Sequence, residues 1–145
     1  MRLPSTTERK KQSILFAEDD RYLRLLYKQF MGKYLPDCKI ITATNGATAW
    51  KLMKRLKVEV VITDINMPEV DGRSLFRLAN NRYSSSMNYH MPRFIFCSGV
   101  LASLNIVSTS LASHKVLVME KPFHLSNLAK VISSILPEPE ASSGP

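Results

Sequence analysis

Cysteine is scarce in this chain: Cys38 and Cys97 are the only two among 145 residues. Two cysteines so far apart make neither a disulfide framework nor the clustered spacing of a zinc site. They fit a reducing, cytoplasmic setting, and Cys97, inside an apolar run, reads as a buried thiol. No apolar stretch approaches the length needed to cross a bilayer, so membrane insertion is not expected. The start, Met1 to Lys11, is basic but lacks the apolar centre of a secretory signal. Internal repeats are absent, and no second domain is expected. The length and 45% hydrophobic content suit one domain with a sizeable core.

Acidic residues are also in the minority, twelve against twenty basic, for a formal charge of +8. An excess of that sign can mark a polyanion partner or a membrane surface. Here the cations are dispersed between apolar positions of helical segments, from Arg21, Arg24 and Lys28 to Lys54, Arg55, Lys57, Arg77 and Arg82. Nor are aromatic residues interleaved with them as in a base-stacking platform. Solvated helix faces account for the charge, and nucleic acid is not expected as a partner.

What the sequence does contain is a set of short apolar runs, each halted by polar chemistry. Ile14 to Ala17 runs into Glu18-Asp19-Asp20, and Val60 to Thr63, β-branched throughout, stops on Asp64. Phe94 to Cys97 closes on Ser98-Gly99, and Val116 to Met119 leads to Lys121-Pro122-Phe123. Lys39 to Ala43 reads as one more strand. Helical spacing fills the gaps: Leu23, Leu26, Tyr27 and Phe30; then Ala49, Trp50, Met53 and Leu56, marking a buried face behind a cap at Thr44 or Asn45. A third helix is predicted over Ser74–Arg82, around Leu75, Phe76 and Leu78, followed by a Ser- and Asn-rich loop from Tyr83 to Pro92. The fourth, near Leu101 to Ala112, has a Ser-rich face and a faint pattern, whereas Leu125, Leu128, Ile132 and Ile135 make a clear last stripe.

Five alternations of strand and helix predict a parallel sheet with covering helices. The tails are placed at 1–12 and 137–145, both flexible, with the domain at 13–136. In such sheets ligands lie beyond the carboxyl ends of the strands. Two acidic groups, a hydroxyl and an ammonium would therefore converge there if all the strands run the same way. Blander roles exist for each: a loop cap before Pro68 and Gly72 for Asp64, helix capping for the Glu18–Asp20 acids, a surface lysine for Lys121.

The order and types of these residues resemble the receiver domain of two-component response regulators. The pattern is Glu18-Asp19 after the first strand, then Asp64-x-Asn66-Met67-Pro68-x-x-Asp71-Gly72, Ser98 after the fourth strand, and Lys121-Pro122-Phe123 after the fifth. It extends from Ser13 to Leu136. The resemblance implies a flavodoxin-like (βα)5 doubly wound sheet in strand order 2-1-3-4-5. It implies Asp64 as the phosphoacceptor, with Lys121 and Ser98 contacting the phosphoryl group and Met67, Gly99 and Pro122 lining its pocket. It also implies Mg²⁺, or Mn²⁺, on Glu18 (through water), Asp19, Asp64 and the backbone carbonyl of Asn66, and a cis Lys121–Pro122 bond. Magnesium suits such a set because it prefers oxygen ligands and keeps several waters.

This chain departs from the family pattern at the switch. Val118 stands where an aromatic ring usually accompanies the movement of the hydroxyl residue, here Ser98. Ala112-Ser113-His114-Lys115 stands where a Gly-Ala pair is common, and Glu18 replaces the commoner Asp. The resulting expectation is a stand-alone receiver, a phosphoacceptor with self-catalysed transfer and hydrolysis rather than a metabolic enzyme. It would take its phosphoryl group from a sensor histidine kinase or phosphotransfer protein, with the helix near Arg21 as docking element. It would then signal to an unknown target as a monomer or a weak, phosphorylation-dependent dimer. A degenerate receiver acting only as an interaction scaffold is the alternative. A phosphatase of the haloacid dehalogenase type would want a second Asp two residues after the nucleophile, where Asn66 stands.

Overall fold

β-branched and aromatic residues dominate the runs that become strands, and each run is short enough for one pass across a sheet. The computed structural model describes residues 10–84, 90–99 and 116–137. In chain order these form β1 (Gln12–Ala17), α1 (Arg21–Tyr34), β2 (Cys38–Ala43), α2 (Gly46–Arg55) and β3 (Val60–Asp64). Then come α3 (Gly72–Ser84), β4 (Arg93–Ser98), β5 (Val116–Glu120) and a last helix, α4 (Leu125–Ile135). All the strands pair in parallel, in the order β2-β1-β3-β4-β5. This is the flavodoxin-like sheet expected from the sequence. The expected helix near Leu101 to Ala112, and the Ala112–Lys115 departure, lie outside the described residues.

Alternate side chains leave opposite faces of a strand, so the sheet carries two cores. Leu15, Val61, Phe94 and Phe96 pack with Ala49 and Met53 of α2 and Leu75 and Phe76 of α3. On the other face Ile14, Phe16, Val60, Ile62 and Ile95 pack with Tyr27 and Met31 of α1 and Leu128 and Ile132 of α4. Cys97 belongs to this second core and is 2% exposed, as its place in the apolar run predicts.

The helices start on side chains that supply the hydrogen bonds their first turns lack. Asp20 Oδ1 accepts from the amides of Tyr22 and Leu23 at 2.8 and 3.1 Å. Asn45, not Thr44, caps α2 by accepting from Thr48 N, and Asp71 accepts from Ser74 N at the start of α3. Each such cap stabilises by about 1 kcal/mol.

Three details differ from what the sequence predicts. Leu56, expected on the buried face of α2, follows the end of that helix and is 38% exposed. Leu26, part of the helical spacing that predicts α1, is 48% exposed, and Met31 fills the core instead. Tyr83, assigned to a loop, is buried in the last turn of α3 and donates its hydroxyl to Met53 O at 3.0 Å. It continues the Leu75–Phe76–Ala79 face by one more helical step, which the Ser- and Asn-rich residues beyond it obscure. Among the described residues no helix is long and apolar enough to cross a membrane.

Candidate functional site

Parallel pairing brings the polar strand ends together. Asp64, the last residue of β3, is level with Cys97, so Ser98 lies one step further on the neighbouring strand. Ser98 in turn is level with Glu120, and the amide of Lys121 donates to Ser98 O at 2.8 Å. On the other side Glu18 follows β1 directly and its amide donates to Ala43 O at 3.0 Å. The Lys121–Pro122 peptide is cis.

At the centre of the cluster is an ion pair. Lys121 Nζ donates to Asp64 Oδ2 at 2.8 Å, with the lysine side chain 30% and the aspartate 20% exposed. Burial on its own would lower the lysine's proton affinity. The hydrogen bond and charge of Asp64, with the charge of Glu18 behind it, reverse this and hold the ammonium above its usual range. The other aspartate oxygen, Oδ1, accepts from Asn66 N at 3.2 Å. Asp64 thus caps its own loop, the bland role, while facing the lysine.

Glu18 is 4% exposed, and its carboxyl pKa rises to about 7. Burial is the main cause, aided by a hydrogen bond with Asp19 and by the charge of Asp64. Lys121 and the amide of Asp20, which donates to Glu18 Oε2 at 3.2 Å, act the other way. Asp19 and Asn66 are exposed beside it, Ser98 is buried, and Met67 is 9% exposed beneath the loop. Gly99 and Pro122 are at the exposed rim. Val118 is half-buried against the α2–α3 core, level with Phe96.

As a donor set for a cation, Glu18, Asp19, Asp64 and a main-chain carbonyl offer oxygen only, which fits magnesium rather than a softer metal. The buried Glu18 carboxyl is the feature that a cation would neutralise. Among the described residues no three of the His, Cys, Asp and Glu side chains are drawn together as a metal-holding group. Like charges repel, and Asp64 is engaged with Lys121 instead.

Two further positions shape this site: Arg24, which the sequence places on a solvated helix face, and Glu69, which it does not single out. Arg24, one turn into α1, donates from one nitrogen to Glu18 O at 2.9 Å and Asp19 O at 2.8 Å, pinning the acidic loop. A basic residue one helical turn beyond a capping Asp20 is the signal that could have found it. Glu69, with φ of 66°, takes the left-handed conformation that turns the chain between Pro68 and Val70.

The model of the response regulator receiver domain matches residues 14–133. The chain belongs to this family. Its fold and two-component context are those of a receiver. The receiver is 31% identical to the response regulator receiver protein CpdR of Brucella abortus, over 85% of this chain and 95% of CpdR. It is 30% identical to histidine kinase P4 of Formosa agariphila, over 90% of this chain but only 9% of that protein. Among solved structures, response regulator TrrA of Thermotoga maritima in complex with Mg²⁺-BeF superposes with a TM-score of 0.67 at 21% identity, over 86% of this chain and 99% of TrrA. That last likeness shows the fold.

Proposed function

We propose that Asp64 accepts a phosphoryl group from a phosphohistidine of a kinase or phosphotransfer protein, and that residues 13–136 act as one phosphorylation-controlled docking unit in the cytoplasm. The observation that carries this reading is the pair of Asp64 and Lys121 at 2.8 Å, at the carboxyl ends of β3 and β5. In the transfer, the N–P bond of phosphohistidine breaks as an Asp64 carboxylate oxygen bonds to phosphorus. Hydrolysis returns the carboxylate and releases phosphate.

Charge on the moving phosphoryl oxygens needs fixed positive partners. Lys121 supplies one, exchanging its contact with Asp64 Oδ2 for a phosphoryl oxygen. Ser98 supplies a hydroxyl donor from the neighbouring strand. Glu18, Asp19, Asp64 and the Asn66 carbonyl would hold Mg²⁺, which supplies further charge neutralisation when bound; the Mg²⁺-BeF complex of TrrA supports this. Gly99 at the rim and Pro122 beside the lysine leave the acceptor accessible.

The amino-terminal half of α1 presents Tyr22, 80% exposed, with Leu25 and Leu26 at 53% and 48%. An apolar face next to the acidic loop supports kinase docking there, and a histidine kinase among the relatives is consistent with such a donor. The near-complete coverage of CpdR supports a receiver acting without an attached output domain. Val118 favours the second reading, a receiver that docks partners without phosphorylation, because no aromatic ring is present there to follow Ser98. Acetyl phosphate with Mg²⁺, read by intact-protein mass, separates the two. One phosphoryl adduct on the natural chain and none on Asp64→Asn is expected. No adduct on the natural chain, under conditions that label Bacillus subtilis CheY, leaves only the scaffold reading.

A further inference from the structure

The amino-terminal edge of the sheet, opposite Asp64, carries a cleft of about 670 Å³. Its rim gathers Lys10, Lys11, Lys39, Arg55, Lys57 and Arg93, from segments far apart in the sequence. One carboxylate, Glu59, also lines the cleft, and its Oε2 is already occupied by the amide of Ser13 at 2.5 Å. Among the described residues Lys10, Lys11, Lys39, Arg55 and Arg93 have no ion-pair partner.

Cations belong near the carboxyl end of a helix, and the end of α2 arrives at this edge. That accounts for Arg55, and not for five more cations delivered by other elements. Like charges crowded on one rim repel each other, so a multivalent anion would relieve a cost that solvent and salt otherwise screen. The wall between them is apolar, built from Val58, Met91 and Pro92. The volume is within the range of about 300–1,000 Å³ typical of small-ligand sites.

We propose that this cleft binds a small phosphate-bearing ligand of the nucleotide class, its phosphates on the basic rim and its base against Val58, Met91 and Pro92. The site is independent of phosphorylation at Asp64. Arg55 and Arg93 are the cations to reverse, since a guanidinium binds phosphate through two parallel hydrogen bonds.

Titration calorimetry of the full chain in EDTA, at fixed salt, tests the site with ATP and with inorganic triphosphate. One ATP per chain is expected, with triphosphate binding more weakly. Arg55→Glu and Arg93→Glu should each weaken ATP about tenfold, the scale of one charge-assisted hydrogen bond. Lys28→Glu, on the exposed face of α1, should leave binding unchanged. Circular dichroism checks the fold of each variant, and Arg93→Gln replaces any that fails. The proposal is overturned by no heat at millimolar ATP, by equal weakening in Lys28→Glu, or by triphosphate binding as tightly as ATP. Affinity that instead grows with the length of a single-stranded DNA probe would assign the cleft to nucleic acid and overturn it too.

Discussion

Two Gly→Ala substitutions in this receiver should shift stability in opposite directions. Gly32 is inside α1, and a Cβ there meets nothing within 4 Å. Alanine removes the entropy cost of a helical glycine, a gain of roughly 1 kcal/mol. Gly72 opens α3, and its amide donates to Ile65 O at 3.0 Å. A Cβ at Gly72 would lie 3.2 Å from both the Asp64 carbonyl carbon and Ile65 Cα, and would overlap the Asp64 carbonyl oxygen. No described glycine has a positive φ, so the obstacle is space and not conformation.

Overpacking of this kind costs about 1–3 kcal/mol. The upper half applies at Gly72, because the opposing atoms are backbone and cannot rotate away. Entropy lost from the unfolded chain returns roughly 0.4–1 kcal/mol. The net loss for Gly72→Ala is then about 1–2 kcal/mol, and the two variants separate by about 2–3 kcal/mol. At about 2–4 °C per kcal/mol, their melting temperatures should differ by roughly 5–10 °C, Gly32→Ala above the natural chain and Gly72→Ala below. Thermal melts and urea titrations followed by circular dichroism measure this, with an unchanged urea slope confirming that stability itself moved. Because the atom displaced is the carbonyl of Asp64, Gly72→Ala should also slow labelling by acetyl phosphate more than Gly46→Ala, whose new Cβ would overlap the Val70 carbonyl oxygen instead. A Gly72→Ala protein that melts at or above the natural temperature would refute the packing argument.

Lys121→Ala should fold, since its side chain is partly exposed, yet lose about 100-fold in the rate of Asp64 phosphorylation, the usual effect of removing one fixed donor to a developing charge. Mass spectrometry of time points gives the rate, and a loss below threefold would argue against the role assigned to the ammonium. Arg24→Gln should weaken Mg²⁺ binding by about 10-fold or more, as loss of a ligand-orienting contact does, in a calorimetric titration with the metal alone. An unchanged affinity in a folded variant would mean that the clamp on the Glu18 and Asp19 carbonyls is only structural. Burial raises the Cys97 thiol from 9.0 to about 12. A disulfide-exchange reagent at pH 8 should therefore modify Cys38 alone until urea is added. A raised folded value means stability that is intact below the unfolded pKa and lost as pH climbs from about 9 towards 12. A melting temperature that did not fall across that window in natural chain relative to Cys97→Ala would contradict this.

The strands and their polar ends were legible because the signal is local. A short β-branched run such as Val60 to Thr63 favours a buried strand over a helix, and the residue that ends it lies at the sheet's edge. Convergence of Asp64, Ser98 and Lys121 then follows from parallel pairing. The lengths of elements were less legible where composition misleads. Tyr83 reads as loop because Ser and Asn surround it, although its ring completes the α3 face. Leu56 reads as core because helical spacing alone cannot say where the helix ends, and α2 stops at Arg55, one residue before it. Arg24 is harder to read for another reason: its contacts are to main-chain carbonyls, so only its place one helical turn beyond the capping Asp20 points to them.

The charge is the clearest case of information that sequence order conceals. Dispersion along the chain suggested solvated faces, and for Lys28 or Lys51, exposed on their helices, that description stands. Arg55 is exposed too, but the βα crossover that carries β3 back to the same edge as β1 brings the end of α2 beside the starts of β1, β2 and β4. Residues from 10 to 93 thereby share one rim. Acids are arranged in the opposite way. Glu18 and Asp19 follow a strand and Asp64 ends one, so their common position at the carboxyl edge can be read from the apolar run that precedes each. No such marker precedes Lys39 or Arg93, which open strands and resemble any flanking cation. A sheet with every strand parallel must separate these two populations, since all its starts lie at one edge and all its ends at the other. Six cations thereby share the edge opposite Asp64, away from the acids that Lys121 and Arg24 contact.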